Sequence, residues 1–245
     1  MPKALPQLPA PLRRRLAALP EGPIRDAAAA RALTVESPEE AARLLEGALW
    51  SARHGSPEAA AVAWSLCQAV GPEGGLPYEQ RAEIYRAARE ACLVAASLLV
   101  SPAPWKIAPE DDPSPSSAGD LSLGHRRALA RTMDPTKIDR LAADADAGVV
   151  RELLRNPRLA ERHVLRLATR RPARRDVLEV IARSEWRHRP AVRTALARNP
   201  YTPPALALRL LAHVPGAALR QMARDGTLHP EIRRVAQALV AVEEI

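Results

Sequence analysis

A chain of 245 residues can hold one large domain or two small ones and is long enough to bury a real core. Its 47% hydrophobic content excludes wholesale disorder, while 3% aromatics, no Phe and an apolar set made of Ala, Leu and Val argue against sheets and for an all-α fold. The net charge of +8 is uneven: residues 1–100 balance eleven basic against eleven acidic side chains, 101–120 carry one against four, and 121–245 carry twenty-four against thirteen.

From the N-terminus, Met1-Pro2-Lys3 runs into Arg13-Arg14-Arg15 with no apolar stretch behind it, so no targeting segment is expected. The first predicted helices cover 11–19 and 23–33. Ser37-Pro38-Glu39-Glu40 is a start signal, with a Ser cap, Pro in the first turn and acids facing the positive end of the helix dipole. That helix runs to about His54, and Ser56-Pro57-Glu58 opens another reaching Val70. The longest helix is predicted over 77–100, with Ile84, Ala87, Ala88, Cys92 and Ala95 on one face. Its apolar end, 91–100, is interrupted by Ser97 and too short to span a bilayer, so no membrane association is expected. Trp50, Trp64 and Tyr85 read as core or rim residues. Cys67 and Cys92 fall inside predicted helices, outside any CxxC or Cys/His cluster, and read as free buried thiols in a cytoplasmic protein.

Residues 101–120 are rich in Pro, Ser and acid and read as a linker whose first part packs through Trp105 and Ile107. The expected organisation is therefore an N-terminal helical domain over 1–100, the linker over 101–120, and a basic helical segment over 121–245.

Beyond the linker the helices shorten. They are predicted over 123–131, 136–143, 149–155, 159–170, 175–183, 189–198, 202–213, 216–224 and 230–242. Two end in the same stop, Asn156-Pro157 and Asn199-Pro200, because Asn tolerates a left-handed turn and Pro cannot continue a helix. The stops align a run from Val150 to Pro157 with one from Val192 to Pro200, and Leu219 to Gly226 is a weaker third copy. Paired short helices with narrow apolar stripes must stack to bury them, which is the logic of an α-solenoid.

The pattern Asp144-x-Asp146-x-x-Val149-x-Arg151, the Asn-Pro stops and Thr202-Pro203 resemble the leucine-rich-repeat variant and HEAT-like repeats of bacteria. The stretches from Leu153 to Leu159 and from Ala197 to Pro203 are similar to those of a group of myxobacterial repeat proteins. The resemblance covers about residues 121–240 and implies a right-handed solenoid that serves as a binding scaffold. The repeat-variant prototype has a cysteine-ligated iron–sulfur module; two cysteines are too few for it, and no cofactor is expected.

Catalytic signatures are missing. The six histidines are scattered, with no HxxxH or HExxH pair to hold a metal, and there is no P-loop, GxGxxG or GxSxG. Asp144 and Asp146 read as a cap for the Val149 helix and as partners for arginines such as Arg151. The functional lead is a basic run of Arg166, Arg170, Arg171, Arg174, Arg175, Arg187, His188, Arg189 and Arg193, joined by Trp186 as the aromatic in that setting. If they bind a ligand, Arg170, Arg171, Arg174, Arg175, Arg187 and Arg189 are expected to be exposed on one side without carboxylate partners, because between Arg162 and Arg198 the acids are only Asp176, Glu179 and Glu185; the competing reading is that these arginines pair with acids of the next unit and hold no ligand. The planar fork of arginine suits carboxylates and phosphates alike. The favoured reading is a non-enzymatic scaffold or adaptor for an acidic protein partner. The alternative is a nucleic-acid-binding protein, of which a HEAT-like DNA glycosylase is one form.

Overall fold

The computed structural model describes residues 6–71, 74–109 and 121–241, and these are helical with no strand among them. In chain order the helices are α1 Ala10–Ala17, α2 Pro23–Val35, α3 Pro38–His54, α4 Pro57–Ala69, α5 Tyr78–Glu90, α6 Leu123–Ala130 and α7 Pro135–Leu141. They continue with α8 Ala147–Leu154, α9 Glu161–Thr169, α10 Arg175–Arg183, α11 Pro190–Ala197, α12 Pro204–Leu211, α13 Gly216–Arg224 and α14 Pro230–Ala241. Short 3-10 segments lie at Val94–Leu99 and Glu185–His188. No described helix is long and apolar enough to cross a membrane. The second half of the expected linker, residues 110–120, lies outside the described residues.

Two compact units emerge: Met1–Pro102 with Leu208–Asp225 and Pro230–Ile245, and Ala103–Ala207 with Gly226–His229. In the first, α3 is the central helix, packing on α4 and α5 while α2 lies on α4. The start signals work as read, with Ser37 accepting from the Glu40 N–H and Ser56 from the Ala59 N–H. Leu44, Leu45, Ala48 and Leu49 bury the inner face of α3, and Trp50 and Trp64 are buried too. The buried Glu46 accepts from Trp50 Nε1 at 2.9 Å and from the Ala95 N–H at 2.7 Å, which ties α3 to the Val94–Leu99 segment. A Cβ on Gly47 would stand 3.0 Å from the Gln7 backbone, so this glycine lets the N-terminal segment lie close against α3. Residues after Ala207 join the same core through Ala212, the Arg53 bond to the Val214 carbonyl, and an edge-on contact of Trp64 with His213.

The single helix expected over 77–100 is interrupted. After α5 the chain turns through Cys92 at φ +54°, with Cys92 N–H bonded to Arg89 O and Leu93 N–H to Ala88 O. Those two bonds make the Schellman stop that usually carries glycine. Nothing in the apolar periodicity marks it, because the 3-10 segment that follows continues to bury Ala95 and Leu98. Cys92 is therefore exposed, against expectation, whereas Cys67 is buried and its thiol is pushed up to about 12 by loss of solvent. Since only glycine occupies the left-handed region without a Cβ penalty, Cys92→Gly should raise stability by about 1 kcal/mol. Chemical denaturation checks this, and a loss of stability would contradict the assignment.

In the second unit α6 packs on α8, α8 on α10, and α9 on α11, so helices two apart in sequence are neighbours. Helices of seven to nine residues are not stable alone. Here they hold through a shared core that includes Ile138, Leu141, Val149, Leu153, Val164, Leu167, Leu178, Ile181, Val192 and Leu196. Aligning the bounds of α8 and α11 pairs Val149 with Val192 and Leu153 with Leu196, one residue off the alignment that begins at Val150.

The Asn-Pro stops do more than end helices. Asn156 Nδ2 donates to the carbonyls of Ala130 and Thr132, both at 2.8 Å, while its Oδ1 accepts from the Arg158 N–H. Asn199 repeats the arrangement on Ala168 and Arg170, at 2.8 and 2.9 Å, and accepts from the Tyr201 N–H. Each asparagine thus satisfies carbonyls left open at the end of the helix packed beside its own. Thr202 sends its hydroxyl to the Leu196 carbonyl. Of the linker side chains, Trp105 is 45% exposed with its ring edge-on to His229, and Ile107 is 81% exposed, so Ile107 does not pack as expected.

Candidate binding groove

The expected acid roles are half right. Asp146 caps α8 by accepting from the Val149 N–H at 2.9 Å. Asp144 binds Arg126, not Arg151, with both carboxylate oxygens within 2.7 Å of Nη1, and its side chain is fully buried. Among the described residues no group of His, Cys, Asp and Glu could hold a metal ion.

The arginine stripe is partly internal wiring. Arg174 pairs with Asp176 and Arg175 with Glu179, so two of its members do have carboxylate partners, which corrects the expectation. Arg175 and Glu179 stand one turn apart on α10, whereas Arg174 precedes the helix and meets Asp176 in its first turn. Arg170 donates to the Ala143 carbonyl at 2.8 Å, Arg171 to the Arg198 carbonyl at 2.6 Å, and Arg193 to that of His188. Arg170 and Arg171 thus tie the end of α9 to the ends of α7 and α11, while Arg193 braces the connection that leads into its own helix. Arg187 reaches His188 Nε2, and Arg166 is an exposed residue of α9. Arg170→Ser should therefore cost about 1–2 kcal/mol, the weight of a charged donor on a carbonyl. Arg174→Ser should cost under about 0.5 kcal/mol, as exposed pairs do. Equal losses at the two positions in thermal denaturation would contradict this division.

What the structure does bring together is an open groove of about 1090 Å³ between the ends of α8 and α10. Its basic lining is Arg151 from α8, Arg155 just past the end of that helix, Arg183 from the last turn of α10, and His188 and Arg189 from the connection into α11. Glu185 is the one carboxylate of the lining. Leu154, Pro157, Leu159, Val180 and Trp186 supply its apolar part. Of the residues singled out in the sequence, Trp186, His188 and Arg189 line it, while Arg166, Arg170, Arg171, Arg174, Arg175, Arg187 and Arg193 do not. Arg155 and Arg183 were missed because they are not adjacent to the clustered arginines in sequence.

Several local facts keep the groove basic. Among the described residues, the guanidinium groups of Arg151, Arg155 and Arg189 make no hydrogen bond or ion pair. Glu152, beside two of them, is bonded to Arg131 at 2.9 Å, which holds its carboxyl below the usual range. Trp186 Nε1 donates to the Leu154 carbonyl at the end of α8, so the indole is anchored across the groove. With α11 aligned on α8, Arg187 and Arg189 stand where the earlier segment has Asp144 and Asp146. Asp146 precedes and caps α8, whereas Arg189 precedes α11 with no side-chain cap. A cation at the positive end of a helix is locally unfavourable, and such departures from local preference gather at functional sites. No family model, curated protein or solved structure matches the chain.

Proposed function

We propose that the chain is a non-enzymatic scaffold or adaptor that binds an acidic protein partner on the basic surface of residues 151–200. The observation that carries this reading is the groove in which four arginines and His188 share the lining with one carboxylate. Residues 151–200 hold fourteen arginines against five acids, so the surrounding field attracts anions as well. The short helices packed two apart support reading the segment as a HEAT-like solenoid, an architecture whose extended surfaces serve binding. The nucleic-acid alternative draws on Trp186, an anchored aromatic beside arginines on which a base could stack.

The test is recovery of a partner from a native extract by the wild-type chain and by an Arg155→Ser/Arg189→Ser variant, each with and without nuclease. A protein partner held by the wild type alone and insensitive to nuclease fits the adaptor. Recovery abolished by nuclease points to nucleic acid, and equal recovery by both chains overturns the groove as the binding surface.

A further inference from the structure

The groove has a property that a plain polyanion would not use: its charged and apolar linings are interleaved on the same elements. At the end of α8, Arg151 and Arg155 stand one turn apart, their Cβ atoms about 6 Å from each other, with Leu154 between them in sequence. On the far wall Val180 precedes Arg183 by one turn of α10, and Trp186 sits between Arg183 and Arg189. Pro157 is exposed beside them. A nucleic acid strand needs phosphates met by cations and bases met by aromatic faces, and the groove offers one aromatic residue. An all-acidic peptide would leave Leu154, Pro157 and Trp186 facing its charges.

We infer that the groove binds an acidic amphipathic peptide segment of a partner protein. Carboxylates spaced about one helical turn apart meet Arg151 and Arg155 on one wall and Arg189 on the other, and a large aliphatic side chain between them lies against Trp186 and Leu154. Arginine suits this role because its fork takes a carboxylate bidentately while its stem covers apolar surface. Glu185 sets direction: a segment whose acid would fall against it is repelled, so one peptide polarity is preferred. The inference rests on the adaptor reading above and adds to it the chemistry of the partner and the residues that select it.

The experiment uses the full chain and fluorescein-labelled probes: a peptide of repeated Glu-Leu-Leu-Glu, an all-Glu peptide of equal charge, and a single-stranded oligo-dT. Anisotropy should show the amphipathic peptide binding on the order of tenfold more tightly than the all-Glu peptide. Trp186→Ser should erase that difference and Trp186→Phe should retain most of it. Both substitutions remove the bond to the Leu154 carbonyl, so the contrast between them isolates apolar contact from the structural tether. If both acidic peptides bind equally, the inference fails and the adaptor reading stands. If oligo-dT alone binds, or no probe binds, both fail.

Discussion

Asp144→Ala is expected to cost about 3–5 kcal/mol of unfolding free energy. The carboxylate is fully buried and meets Arg126 Nη1 with both oxygens, and the arginine side chain is itself only 18% exposed. Truncating the acid leaves a mostly buried guanidinium without its counter-charge, where little water can reach to replace it. It also frees the Asp146 N–H, which Asp144 Oδ1 accepts at 2.9 Å. That bond positions Asp146, whose own carboxylate caps α8. Asp146→Ala removes the cap and a partly exposed ion pair with Arg127 at 3.7 Å, and should cost about 1–2 kcal/mol. Urea denaturation of the two variants separates the cases, and similar losses would show that the Arg126 pair is not the keystone of this corner.

The second large effect is at the repeated asparagines. Asn199→Asp is close to isosteric, yet it aims a carboxylate oxygen at the carbonyls of Ala168 and Arg170, where Nδ2 now donates at 2.8 and 2.9 Å. Two buried acceptors lose their donor and face a third, so the expected loss is about 2–4 kcal/mol. Asn156→Asp should behave alike, because Asn156 makes the same three bonds one repeat earlier. Asn→Ala at either position should cost somewhat less, since it leaves carbonyls unmet without adding a charge. A variant with wild-type stability would show that the asparagines act only as helix stops.

Much of this was legible in the sequence because it is written locally. Ser-Pro-Glu starts, Asp134-Pro135 and the Asn-Pro stops are each a few residues long, and the helices they bound lie where they predict, with differences of a few residues at the ends. Cys92 was not legible, since a left-handed turn at a non-glycine residue has no signature in an apolar run. The second role of Asn156 and Asn199 was hidden for another reason: their partners lie some 24 to 31 residues back, and backbone carbonyls have no sequence identity. The groove shows the same limit. Clustering in sequence draws attention to Arg170, Arg171, Arg174 and Arg175, but Arg174 and Arg175 meet acids close by in the chain and Arg170 and Arg171 meet carbonyls 27 residues away, so these side chains are occupied. The arginines whose side chains make no such bonds are Arg151 and Arg155 on one wall and Arg189 more than thirty residues further along the chain, and the two walls meet only when α10 packs on α8.

The central claim is that the groove, and not the 170–175 run, is the binding surface. Anisotropy titration of the Glu-Leu-Leu-Glu peptide across a salt series tests it most directly, on the wild type and on Arg155→Ser/Arg189→Ser and Arg174→Ser/Arg175→Ser. Wild-type affinity should fall steeply as salt screens the arginines. The groove variant should lose about tenfold or more of its low-salt affinity together with most of the salt dependence, while the 174/175 variant stays near wild type. A groove variant that binds as the wild type does, or a 174/175 variant that loses as much, would contradict the account.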